Sequence, residues 1–250
     1  MHGSAIAGLL AARSGGPLFT PDYPLESLND VWAIQSGAMA ALGPVGGWKV
    51  GRWDAGQPLI HAPIRAATIK PSPALLSPAD SRLRGLELEV GFRIDAALPA
   101  ADDPDFLHKL AACVTPMPVF EVVDSRLADP QNASPLWRLA DFQLNAGLVY
   151  GAPLAAGWNP SDFDHPHVHL TADGTDVCNG PATLNTGTPF SMLADLVRQL
   201  SIPGGDHCGG VQPGQIVTTG SFTGLRFFAK GTKLTGRIAG LAPISATFAA

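Results

Sequence analysis

The stretch Leu86-Glu-Leu-Glu-Val-Gly-Phe-Arg-Ile94 constrains this chain more than any other. It alternates apolar and polar residues, the two-residue period of a half-buried β-strand. That period puts Glu87 and Glu89 on one face, side by side. Adjacent carboxylates repel each other, so the pair requires water, a basic partner or a shared cation. A solvated face with Arg93 completing a charge ladder is one solution. A hard divalent cation such as Mg2+ is the other. The strand alone leaves both open.

A second strand-like run carries a third carboxylate. Val119-Phe-Glu-Val-Val-Asp124 is rich in β-branched residues and places Glu121 among apolar neighbours. Burying that glutamate unpaired is costly, so it needs a partner or an edge position facing water. Completing a site with Glu87 and Glu89 would account for all three at once. An all-oxygen donor set suits Mg2+ or Mn2+ better than zinc, which more often recruits His or Cys. Lys49 lies in the glycine-bracketed strand Gly46-Gly-Trp-Lys-Val-Gly51. A lysine there can take part in acid–base work or hold a substrate carboxylate, or it can snorkel to water from a strand edge. The hydroxyls and glycines of Thr218-Thr-Gly-Ser-Phe-Thr-Gly224, Thr219 and Ser221 among them, can bind a carboxylate or form an ordinary turn.

Other candidates are weaker. His165, His167 and His169 run into a hairpin signal with no accompanying ligand spacing, and Asp206-His207-Cys208 lacks a nucleophile signature. Neither G-x-G-x-x-G after a strand nor G-x-S-x-G is present, so dinucleotide binding and Ser-His-Asp hydrolysis have no support.

Composition narrows the class. In 250 residues, 46% are apolar and 15% charged, which describes a globular chain with a substantial core. A net charge of -5 with no basic cluster argues against a nucleic-acid partner. Cys113, Cys178 and Cys208 are odd in number and widely spaced, which predicts no disulfide framework. With no membrane-length apolar run and no positively charged start to the N-terminus, a cytoplasmic protein without a membrane anchor is expected.

The patterning predicts helices over Ala5–Arg13, Leu28–Leu42 (capped by Ser27, with Asp30 three residues on), Asp105–Cys113 and Phe190–Leu200. Loops with short extended pieces are expected over 54–82, and a polar loop over Asp129–Pro135. Asp173-Gly174 predicts a type I′ hairpin between Val168–Ala172 and Thr175–Cys178. Further strands are expected over Leu144–Tyr150, near Ile216–Thr218, and over Lys233–Ile238 and Ile244–Phe248. The class is α+β: a helical N-terminal part (1–45) packed on a mainly β part (46–250), as one continuous unit.

In their order these segments resemble the fumarylacetoacetate hydrolase superfamily, and within it the 2-oxopent-4-enoate hydratases and 4-oxalocrotonate decarboxylases. The resemblance rests on Ala33-Ile-Gln35, Gly47-Trp-Lys-Val-Gly51, Glu87-Leu-Glu89, Phe120-Glu-Val-Val-Asp-Ser-Arg126, Leu139-Ala-Asp141 and Gly214 through Gly224. It implies a mixed β-roll of the fumarylacetoacetase C-terminal type, with Mg2+ or Mn2+ on Glu87, Glu89 and Glu121. It also implies Lys49 in the active site, and Arg126 and Ser221, with Thr219 beside it, on the substrate carboxylate. The implied chemistry is hydration of a 2-hydroxypenta-2,4-dienoate-type acid by a homodimer or an assembly of dimers, with a partner pathway enzyme conceivable. Decarboxylation, C–C hydrolysis of an acylpyruvate type, or a catalytically silent binding subunit are the alternatives. Two departures stand out. The family's acidic loop is replaced by Gln57-Pro-Leu-Ile-His-Ala-Pro-Ile64, which offers His61 as an acid–base group. Its Asp-Asn-Ala-Ser-like run reads Asp141-Phe-Gln-Leu-Asn145, keeping Asp141 as a catalytic candidate but lacking the serine.

Overall fold

The computed structural model describes residues 2–202 and 207–250. Two helices open the chain, α1 (Gly3–Arg13) and α2 (Leu28–Leu42). Strands β1 (Val45–Gly51), β2 (Ile60–Arg65), β3 (Ile69–Pro71), β4 (Ala74–Leu76) and β5 (Gly85–Ile94) follow. Next come α3 (Phe106–Ala112), β6 (Val114–Val123), α4 (Pro135–Ala140) and β7 (Asn145–Tyr150). The hairpin β8 (His167–Ala172) and β9 (Thr175–Pro181) leads to α5 (Pro189–Ser201). The chain finishes with β10 (Ile216–Ser221), β11 (Arg226–Phe227), β12 (Lys233–Ile238) and β13 (Ile244–Phe248).

The strands form two mixed sheets, so the α+β expectation is borne out. The larger runs β2-β1-β10-β5-β6-β7-β3 with β11 beside β5, and the smaller runs β4-β13-β12-β8-β9. The sheets meet where Gly236 of β12 faces Leu88 and Phe120; a Cβ there would lie 2.8–2.9 Å from their side chains. Leu88, Phe92, Phe120, Trp48 and Val217 join Leu193 and Phe248 in the main core. Each such side chain contributes about 1.5–3 kcal/mol by leaving water. A second cluster packs Leu9, Val31, Ile34 and Trp137 from the helices onto Ile60 of the edge strand β2.

The local signals explain the elements. Ser27 Oγ accepts from the Asp30 amide, and Asp30 Oδ2 accepts from the Ser27 amide at 3.0 Å, closing the expected capping box. Asp173 and Gly174 both have positive φ (51° and 81°), as the I′ hairpin requires. Three expectations change. The 54–82 stretch contains a true strand, β2, at the sheet edge, where Pro63 is tolerated. The polar loop ends in α4, capped by Ser134 Oγ on the Trp137 amide with Pro135 in its first turn. The Glu87/Glu89 strand is buried on both faces rather than half-buried, because β10 and β6 flank it and both faces carry apolar clusters. Arg93 is not a partner of the glutamates; it pairs with Asp95 at 2.5 Å. Asp206 of the Asp206-His207-Cys208 candidate lies outside the described residues. No helix among the described residues is long and apolar enough to cross a membrane.

Candidate metal centre

Strand register converges four charged side chains. Lys49 of β1 is opposite Thr218 of β10, Thr218 is opposite Gly91 of β5, and Glu87 of β5 is opposite Glu121 of β6. Strand alternation therefore sets Lys49, Thr218, Glu87, Glu89 and Glu121 on one face of the large sheet. One oxygen from each glutamate lies within 4.8 Å of the others. Lys49 Nζ stands 2.9 Å from Glu121 Oε2 and 3.5 Å from Glu87 Oε2. It is the only basic side chain within 4 Å of the three carboxylates among the described residues.

The glutamates differ in environment. Glu121 is fully buried: Oε1 accepts from Asn145 Nδ2 at 3.1 Å, and Oε2 faces the Lys49 ammonium. Glu89 is 1% exposed, and its Oε2 accepts from the Thr218 hydroxyl and from the Gly220 amide at 2.8 Å. That amide reaches Glu89 because β10 bulges between Thr218 and Ser221, with Gly220 at φ 113°, a region open to glycine. Burial and the Glu87 charge push Glu89 up to about 7, against Lys49 and the two hydrogen bonds. Burial, with Glu89 and Glu87, pushes Glu121 up to about 8 despite Lys49. Burial alone would lower Lys49; the three carboxylates outweigh it and hold the ammonium above its ordinary value.

These residues fit a divalent cation. Three oxygen donors converge, two of the glutamates are buried, and the three carboxylates share a single ammonium.

A strained turn overlies Lys49. Phe142, Gln143 and Leu144 are three consecutive non-glycine residues in the left-handed region (φ 56°, 53° and 61°). Each costs roughly 1–2 kcal/mol. The turn is held by the Leu144 amide on the Asp141 carbonyl (3.0 Å) and by Arg13 over the Phe142 ring (5.2 Å). It aims the Gln143 carbonyl at Lys49 Nζ (3.4 Å) and leaves Gln143 Oε1 buried without a donor.

The remaining expected residues stand elsewhere. Arg126 and Asp141 form a buried pair at 2.5 Å; Arg126 also donates to the carbonyls of Asp124, Asn145 and Asp141, and Asp141 accepts from the Arg126 amide and the Ser125 hydroxyl. Thr219 donates its hydroxyl to the Val90 carbonyl (2.8 Å). Ser221 is opposite Glu89 and accepts from the Thr223 amide (3.3 Å). His61 is opposite Val50, so it shares the Trp48/Val50 face and not that of Lys49. It stacks on Trp32 (centroids 4.4 Å apart), its Nδ1 has no partner, and burial together with His207 lowers it to about 3. His169 is bound to Asp176 at 2.6 Å.

The sequence offers Thr218 only within a hydroxyl-rich run, and Gln143 and Asn145 only within the Asp141–Asn145 run, with no individual role for any of the three. The alternation that pairs Thr218 with Lys49 was available, but the bulge that follows is not readable from side-chain types. Asn145 follows a left-handed turn that no glycine announces.

Fold and site together define a mixed two-sheet protein with a carboxylate cluster suited to a divalent ion. No protein-family model matches the sequence, and no curated protein sequence matches it. Among solved structures, 4-oxalocrotonate decarboxylase from Pseudomonas putida G7, complexed with calcium and acetate, superposes with a TM-score of 0.78 at 21% identity, over 98% of this chain and 96% of that one. The same enzyme complexed with magnesium and adipate gives 0.76 at 21% identity, over 98% and 97%. Fumarylpyruvate hydrolase from Pseudomonas aeruginosa, in complex with Mn2+ and pyruvate, gives 0.58 at 19% identity, over 81% and 88%. The chain therefore shares the fold of these enzymes, and the expected resemblance is borne out at the level of fold.

Proposed function

We propose that this protein is a divalent-metal-dependent lyase acting on a small 2-oxo or 2-hydroxydienoic acid, with loss of CO2 from a 2-oxo-enedioate as its favoured reaction. The observation that carries the reading is the buried Glu87/Glu89/Glu121 cluster with Lys49 as its single basic partner. Magnesium or manganese held by the three glutamates would supply electrophilic stabilisation of an enolate. Breaking the terminal C–CO2 bond of 2-oxohex-3-enedioate sends its electron pair through the conjugated chain to the 2-oxo oxygen and releases CO2. Lys49, kept protonated by its carboxylate neighbours, faces that negative charge and donates the proton that completes the dienol. The bulged Thr218–Gly220 segment fixes Glu89, and Asn145 fixes Glu121, so the donors need no reorganisation. The full-length likeness to the decarboxylase, and the six-carbon dicarboxylate adipate in one of its structures, support a dicarboxylate substrate.

Hydration, the reaction the sequence resemblance favours, is the second reading. Gln143, whose backbone carbonyl meets Lys49 and whose buried Oε1 has no donor, offers a polar group to orient a water. His61 on the other face offers hydration no acid–base group. An assembly of at least two copies belongs to the same proposal and is tested by sedimentation.

The deciding experiment incubates Mg2+- or Mn2+-loaded protein with 2-oxohex-3-enedioate and with 2-hydroxypenta-2,4-dienoate, with and without EDTA, and reads product masses. EDTA-sensitive loss of CO2 from the first supports decarboxylation. Gain of one water by the second moves the reading to hydration. No change in either would sink both.

A further inference from the structure

Two guanidiniums that face one cavity, Arg13 and Arg65, form no ion pair with any carboxylate among the described residues. Arg13, at the C-terminal end of α1, donates one long bond to the Asn145 carbonyl (3.5 Å) and otherwise lies over Phe142. Arg65, the last residue of β2, has a buried Nε with no acceptor. Both line one cavity of about 320 Å³, together with Ala12, Gly15, Thr68, Asp80, Arg82 and Asp124. The acids bordering it are already engaged. Asp80 binds Lys70 (2.7 Å) and the Ser77 amide, and Asp124 binds Arg82 (3.3 Å) and the Leu83 amide. Arg126, also on the wall, is neutralised by Asp141.

The cavity is thus left with two uncompensated positive charges. Burial, reinforced by Arg126 and Arg65, pulls Arg13 down to about 9. Arg13 and Arg65 are both half-buried, and an unpaired, partly desolvated cation carries a penalty that a counter-charge relieves. The α1 carbonyl end opposes an anion, but that effect is confined to the last turn and is weaker than the charge-assisted bonds of two guanidiniums. Asn145 separates this cavity from the metal centre: its side chain holds Glu121 while its carbonyl accepts from Arg13 and Arg126.

We infer that the cavity between Arg13 and Arg65 is a binding site for a small oxyanion, the carboxylate or phosphate of a low-molecular-weight ligand. Guanidinium forks read both groups through paired N–H donors, so the test must separate them. Orthophosphate and succinate are titrated by calorimetry into wild type, Arg65→Met, Arg13→Met and Glu121→Gln, all in EDTA, against potassium chloride at matched ionic strength. One saturable site for at least one probe is expected in wild type, weakened at least tenfold in both arginine variants and unchanged in Glu121→Gln. Whichever probe binds more tightly assigns the ligand as a phosphate or a carboxylate. Arg65→Met gives a second readout: relieved of an unpaired charge, it melts above wild type in anion-free buffer and gains nothing when the anion is added. Binding no better than chloride, binding equal in the arginine variants, or an Arg65→Met variant that melts below wild type without anion overturns the inference.

Discussion

The carboxylate cluster makes a signed prediction about stability and pH in the metal-free protein. In the unfolded chain Glu89 and Glu121 ionise near 4.5, whereas in the fold they hold their protons up to about 7 and about 8. Between those limits the folded state binds more protons than the unfolded state. The contribution of these two groups to stability is therefore greatest below pH 4.5 and declines as pH rises towards 8, by about 1.4 kcal/mol per pH unit for each titrating group. For a chain of this size that is roughly 3–6 °C in Tm per pH unit and group. Glu121→Gln removes one of the two groups, so its slope between pH 5 and 7 should be shallower by about one group's worth. Other titrating residues are common to both proteins, so the wild-type-minus-variant difference isolates the cluster. A divalent ion binds the ionised form, so Mg2+ stabilises wild type more at pH 8 than at pH 6, and the variant far less at either. The assay is urea denaturation at pH 5, 6, 7 and 8, in EDTA and in Mg2+. Equal slopes for wild type and variant in EDTA, or a wild-type-minus-variant difference that rises with pH, would refute the assignment of buried, proton-retaining carboxylates.

Three further outcomes are expected. Lys49→Met leaves Glu121 and Glu87 without their cation, costing the metal-free protein about 3–5 kcal/mol; it should bind Mg2+ at least as tightly as wild type while losing turnover, as calorimetry and rate measurements would show. His61→Phe keeps the stack on Trp32 and should lose less than the roughly hundredfold that a general acid or base contributes; a larger loss in kcat, with the fold intact by circular dichroism, would return His61 to the chemistry. Gly236→Val drives methyl groups into Leu88 and Phe120 where the sheets touch, and should destabilise by about 1–3 kcal/mol in urea without changing Mg2+ affinity.

What could be read from the sequence, and what could not, follows from the range of the physics. Glu87 and Glu89 were legible because strand period alone puts them together, and Glu121 because a charge in an apolar run demands a partner; the register that aligns Glu87 with Glu121 confirms that demand. The α2 capping box and the I′ hairpin were legible for the same reason, being complete within a few residues. Arg126 was a different case. A guanidinium next to strand β6 reads equally well as a substrate clamp or as a structural ion, and only the tertiary fold shows its donors on Asp141 and three carbonyls. His61 fails for a subtler reason: it follows Lys49 by twelve residues, but it is opposite Val50, and a one-residue change of register exchanges sheet faces. The left-handed turn at 142–144 was invisible because its residues, Phe, Gln and Leu, all disfavour it. Such a turn persists only where its surroundings over-determine it, and here they do, through Arg13, Asp141 and Asp124. Its Gln143 carbonyl meets Lys49 and its Phe142 ring lies under Arg13, so the segment least readable from sequence links the metal centre to an arginine of the proposed anion site.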